Sequence, residues 1–160
     1  MTRIDDINDV PSHLTREEKD LLLKDLCARL PFNVRMYDID VTMPKIDLWL
    51  RGLTYEGSVM VGDDGRGLEC SSVGAYLPYL FSLSSMTEEQ KYDFYCRFVE
   101  NQIDFDDFKE FYLDGGMWHK LLTSLDDFGS IIDWFHKNHF DYRGLIPMGL
   151  AIDATGLNIY

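Results

Sequence analysis

Basic residues are scarce in this chain. Fifteen lysines and arginines stand against 28 aspartates and glutamates, for a formal net charge of −13. Direct binding to nucleic acid or to an anionic membrane needs clustered Lys and Arg, so the balance argues against both. It suits a soluble protein or one that meets a basic partner. Cysteine is sparse too. Cys27, Cys70 and Cys96 are odd in number and show no C-x-x-C spacing. All three are expected to be reduced, buried thiols of a cytoplasmic protein. No apolar run approaches the roughly 20 residues of a membrane span. The opening MTRIDDINDV has no apolar h-region, so no secretory signal is expected.

Apolar residues, by contrast, are plentiful. At 46% apolar and 14% aromatic, the 160 residues can build a real core. The length fits one domain, residues 1–160. The densest apolar stretch is Phe128–Ile152. Within it Ile131, Ile132, Phe135 and His139 recur at helical spacing, and Trp134 flanks that stripe. Asp127 or Ser130 can cap this helix, and Gly144 and Pro147 mark turns beyond it. Trp134 and Phe135 are expected to be buried.

Along the chain, residues 1–13 are polar. Thr15 and Glu18 then form a capping box. Leu22, Leu23, Leu26, Cys27 and Leu30 make an amphipathic helix face that Pro31 ends. From Phe32 the apolar period changes to two. Arg35, Tyr37, Ile39 and Val41 share one strand face, and Ile46, Leu48 and Leu50 alternate next. Ser58–Val61 and Leu68–Ser71 are joined across Gly62-Asp63-Asp64-Gly65, a hairpin signal. Tyr76–Phe81 reads as an extended aromatic connector. Thr87 and Gln90 form a second capping box, followed by an inner face of Tyr92, Tyr95, Phe98 and Val99. Phe105, Phe108, Phe111 and Tyr112 suggest a further helix. Met117–Leu125 reads as a short helix, Leu145–Ile152 as a helical turn, and Gly156–Tyr160 as a loose tail. The expected fold class is α+β. A small antiparallel sheet of three or four strands, about residues 33–71, packs with an N-terminal helix and a C-terminal helical set.

Three blocks, Leu14–Val34, Tyr76–Lys91 and Ile131–Asp153, occur in an order that resembles a group of small uncharacterised proteins. These are found in phages and mobile elements of gut bacteria. The second block resembles that group's Lys-Pro-Tyr-Leu-Arg-Pro-Met-Ser-Ser-Met-Thr pattern, from which Leu77, Phe81, Ser82 and Leu83 depart. The resemblance implies accessory phage or mobile-element biology, and it implies no particular activity.

Several constellations could carry chemistry. Asp133, His136, His139 and Asp141 offer imidazole and carboxylate ligands for zinc or iron. Their H-x-x-H spacing is not that of a metalloprotease helix. The ordinary reading buries His139 and leaves His136 in solvent. His119 could pair with Cys27, Cys70 or Cys96 as a thiol nucleophile, but no local signature supports it. Ser84-Ser85 precedes a helix, as capping serines do. Gly62–Gly67 lacks phosphate-loop spacing, and its two aspartates would repel an anion. Asp104, Asp106, Asp107 and Glu110 could hold calcium, yet they lack the EF-hand Gly and Glu. A solvated acidic helix start fits them better.

The acidic surplus has a functional reading of its own. Asp104, Asp106, Asp107, Glu110, Asp114, Asp126 and Asp127 could imitate a phosphate backbone and occupy the basic groove of a nucleic-acid-binding protein. The expectation is therefore a non-enzymatic accessory interaction protein, an acidic inhibitor that occupies the basic surface of a host protein. It would be cytoplasmic, with no cofactor, no metal and no catalytic residue. The alternative is a small hydrolase or metal-dependent enzyme using His119, His136 or His139.

Overall fold

The structure is a computed structural model that describes residues 14–39, 48–54, 57–62, 68–114, 120 and 127–160. The fold is mixed α+β, and the chain divides into two compact units. One comprises Met1–Leu80 with Arg143–Tyr160, the other Phe81–Tyr142. Among the described residues no helix is long and apolar enough to cross a membrane.

The first unit opens with helix α1 (Arg16–Arg29). Its capping box forms as the sequence predicts: Glu18 N–H donates to Thr15 Oγ1 and Thr15 N–H to the Glu18 carboxylate. The buried stripe of α1 is Leu22, Asp25, Leu26 and Arg29. Cys27, expected inside, lies one residue off that stripe and is exposed. A step of about 100° per residue carries it out of the core. Strands β1 (Met36–Asp38), β2 (Trp49–Leu53), β3 (Ser58–Gly62), β4 (Leu68–Ser72), β5 (Tyr76–Leu80) and β6 (Ile152–Asp153) follow. The hairpin reading of β3 and β4 holds, with antiparallel register from Ser58↔Ser72 to Gly62↔Leu68. Residues 40–47 and 63–67, where the sequence reading placed Val41, Ile46 and the Asp-Gly turn, lie outside the described residues.

The expected antiparallel sheet forms as β2-β3-β4, and β1 belongs to a second three-stranded sheet, ordered β1-β5-β6. One expectation needs correction. Tyr76–Leu80, read as a connector, is the central strand of the second. It pairs antiparallel with β1 and parallel with β6. All five of its residues are buried. A strand covered on both faces is continuously apolar, so it shows no alternation to read. Pro78 is tolerated there. Tyr79 N–H donates to Arg35 O on the β1 side, so the missing N–H of Pro78 falls on the opposite side, and β6 pairs only from Tyr79 onward.

The segment 145–150 is a run of turns, in which Leu150 N–H donates to Leu145 O. Leu80, Leu145, Leu150 and Ala151 close a small cluster. The expected loose tail is also tied down. Ile159 is buried, and the Tyr160 hydroxyl accepts from Arg35 N–H at 3.0 Å and donates to Tyr79 O at 2.8 Å. Although part of the residue is exposed, its hydroxyl sits between strands, and burial pushes its pKa up.

The second unit is helical. It holds α2 (Glu88–Phe98), a short α3 (Phe105–Asp107) that continues as a π-helix over Phe108–Asp114, and α4 (Phe128–Lys137). Its core is aromatic. Phe94 is fully buried, with Phe98, Phe108, Trp134 and Phe135 at centroid distances of 4.9 to 5.9 Å. The sequence reading put Tyr92, not Phe94, on the inner face of α2. Tyr92, Phe94, Tyr95 and Phe98 spread over a wide arc of that helix, so spacing alone does not say which of them the core takes. Trp134 and Phe135 are buried as expected. Phe111 is 53% exposed. The wider π winding keeps Phe108 and Tyr112 on one side and turns Phe111 away. Residues 117–119 and 121–125, read as most of a short helix, lie outside the described residues.

Candidate functional surface

The acidic residues singled out from sequence belong to the second unit. Asp104 caps α3, its carboxylate accepting from Asp106 N–H at 3.3 Å. Asp106, Asp107, Glu110 and Asp114 follow along the α/π segment, and all five carboxylates are exposed. Carboxylates at a helix start are favoured by the helix dipole, which explains the placement of Asp104, Asp106 and Asp107 without any partner, but not that of Asp114 at the far end. Asp127 is exposed on a separate element, where it caps α4. Its carboxylate accepts from Ser130, and that hydrogen bonding holds its pKa below the ordinary carboxylate value. Asp126 lies outside the described residues.

Between Glu88 and Asp114 nine carboxylates stand against three cations. Two of the cations make short local pairs. Lys91 reaches Glu88 at 2.9 Å, and Arg97 reaches Asp93 at 2.8 Å. The third, Lys109, lies 3.6 Å from Glu88, 3.9 Å from Asp106 and 4.6 Å above the centre of the Phe105 ring. Exposed pairs of this kind are worth little each and are screened by salt. Their effect on the field is larger than on stability, and the net sign of the segment stays negative.

The histidine constellation is arranged differently from its sequence reading. His136 is the buried one, only 2% exposed, with Nε2 2.8 Å from the Tyr142 hydroxyl. His139 is not in the helical stripe. α4 ends at Lys137, and His139 sits beyond it at φ +59, half-buried, its carbonyl accepting from Phe81 N–H. A helix terminus that turns left-handed breaks the spacing that had put His139 on the apolar face. Asp133 is exposed and Asp141 buried. Among the described residues no three His, Cys, Asp or Glu side chains are grouped to hold a metal ion. His119 lies outside the described residues. Cys27 on α1, Cys70 on β4 and Cys96 on α2 are free thiols, all exposed rather than buried.

Two arrangements escaped the sequence reading. Asp25, fully buried, takes Arg29 Nε at 2.7 Å on one oxygen and Arg143 Nε at 3.1 Å on the other. The Asp25–Arg29 spacing of four residues was a signal for the first pair. Nothing local foretells Arg143. The other is an aromatic group at the surface of the second unit. Tyr92 is 56% exposed, and its ring meets Phe105 edge-on at 5.3 Å and Tyr95 at 6.5 Å. Tyr95 and Phe105 are themselves 5.1 Å apart.

No family model, curated protein or solved structure matches the chain.

Proposed function

We propose that this is a non-enzymatic interaction protein that presents an acidic surface to a basic protein partner, of the kind that itself binds nucleic acid. One observation carries the reading: five carboxylates, Asp104, Asp106, Asp107, Glu110 and Asp114, are all exposed along one segment whose only cation is Lys109. Such a surface attracts a basic groove and raises the rate of encounter with it. The resemblance to accessory proteins of phages and mobile elements fits an inhibitor of a host protein acting in the cytoplasm. The enzyme alternative draws no support from His136, which is enclosed against Tyr142.

The test is affinity capture from a bacterial host lysate at low and high salt, followed by variants. A basic partner is released as the Debye length shortens to about 3 Å at 1 M salt. Reversing Asp106, Asp107, Glu110 and Asp114 to Lys should abolish capture without unfolding the protein. Asp104 is left in place because removing a helix cap costs about 1 kcal/mol. His119→Ala and His139→Ala should leave capture intact. Folded histidine variants that lose function while the charge-reversed protein keeps it would overturn the reading.

A further inference from the structure

Tyr92, Tyr95 and Phe105 carry the aromatic core of the second unit out to its surface. Tyr92 stands in the middle of α2, 56% exposed, while Tyr95 and Phe105 are half-buried against that core. The three rings pack against one another at 5.1 to 6.5 Å, so they present one fixed shelf rather than scattered side chains. The Tyr95 hydroxyl donates to Ile103 O at 2.8 Å, which ties the shelf to the loop before α3. The charges of Glu100 and Asp104 reach it. The Tyr92 phenol is pushed up by its hydrogen bond to Cys96 and, in part, by the charge of Glu100. The Tyr95 phenol is pushed up by desolvation and then by the charges of Asp104 and Glu100. A cation already uses one ring. Lys109 Nζ lies over Phe105 while also facing Glu88 and Asp106.

An aromatic face carries partial negative charge and attracts a cation, more strongly an arginine than a lysine. The guanidinium is planar, weakly hydrated and able to stack while its N–H groups reach carboxylates. A shelf of rings with a carboxylate rim therefore complements an arginine better than any neutral or acidic group. The charge excludes an anionic membrane as the occupant.

We propose that the Tyr92–Tyr95–Phe105 shelf is a docking site for an arginine side chain of a basic protein segment, with Asp104, Asp106 and Glu100 as its anionic rim. The proposal rests on the reading that the partner is basic. It adds that the partner is held by ring stacking as well as by charge, and that arginine is preferred over lysine.

The experiment titrates the full chain with oligoarginine and oligolysine peptides of equal length and charge, at low and high salt, by calorimetry. The arginine peptide should bind about two- to fivefold more tightly per engaged side chain. Tyr92→Leu should erase that preference and keep the salt-sensitive remainder, while Tyr92→Phe should preserve the preference. Lys109→Ser, which uncovers Phe105, should widen it independently of any change at Tyr92. Equal binding of the two peptides, with no effect of Tyr92→Leu, would overturn the shelf and leave the acidic-surface reading standing. No binding of either peptide at low salt would overturn both.

Discussion

Asp25 shows what one residue can decide. Its carboxylate is fully buried, and each oxygen is matched to the Nε of a different arginine. Two full charges are costly to desolvate, and the pairing offsets that cost only while both partners remain. Asp25→Ala should therefore destabilise the protein by about 3–5 kcal/mol, because it leaves Arg29 buried without that carboxylate. Asp20→Ala, five residues earlier and exposed, should stay within about 0.5 kcal/mol. Urea unfolding of the two variants checks the contrast. Asp93 acts through pH. Its carboxylate accepts from Trp134 Nε1 at 2.8 Å and pairs with Arg97, and these partners, Trp134 foremost, hold its pKa below the ordinary value. A depressed carboxylate contributes stability that is present above its unfolded pKa of about 3.9 and is lost as pH falls through the folded value. The thermal midpoint should thus fall on acidification below about pH 4, and by less in Asp93→Asn. Part of the fall should persist in that variant, because Glu88 and Asp127 are depressed as well. An identical acid limb in variant and parent would remove Asp93 from the account.

At the scale of elements, α4 carries the second unit. Asp127 caps it, Ile131, Trp134, Phe135 and His136 make its buried face, and Asn138 ends it. Phe135 touches Phe94, Trp134 and Tyr142 with ring centroids 5.5 to 5.7 Å apart. Phe135→Ala should cost roughly 3–5 kcal/mol, the transfer of a large ring plus the cavity it leaves. Phe128→Ala, at an exposed position of the same helix, should cost far less. The comparison by chemical unfolding isolates burial from helix propensity, since both substitutions replace Phe by Ala in one helix. β5 makes the complementary point. It is five residues long and contains a proline, yet it is flanked by strands on both sides. Its place follows from which neighbours pair with it, not from its own propensity.

For the whole molecule, the charge of −13 is the property with the longest reach. It sets the long-range field around the protein, and that field is the part most sensitive to salt. If the proposed basic partner binds, its association rate should fall as ionic strength rises, with a smaller change in the dissociation rate, as stopped-flow mixing can read. The chain also returns on itself. The first unit takes its last segment from residues 143–160, after the second unit has been completed. Its closing contacts are correspondingly remote. Tyr160 meets Arg35 across 125 positions, and Arg143 meets Asp25 across 118.

What the sequence determined by itself is local. Both capping boxes, the start of α4, the β3–β4 pairing and the acidic exposure of Asp104–Asp114 were legible. Each depends on residues three or four apart, on a period of two, or on charge that must stay in water. What the tertiary structure decided depends on distant partners. It made Tyr76–Leu80 the central strand of a second sheet and drew β1 into it. It rotated α1 so that Asp25 and Arg29 went inside and Cys27 out. It buried His136 in place of His139 by ending α4 two residues earlier, and it exposed Tyr92 while burying Phe94. Spacing tells which residues share a face. It does not tell which face the rest of the chain will cover, because that is set by pairings whose free energy is gained only when remote segments meet.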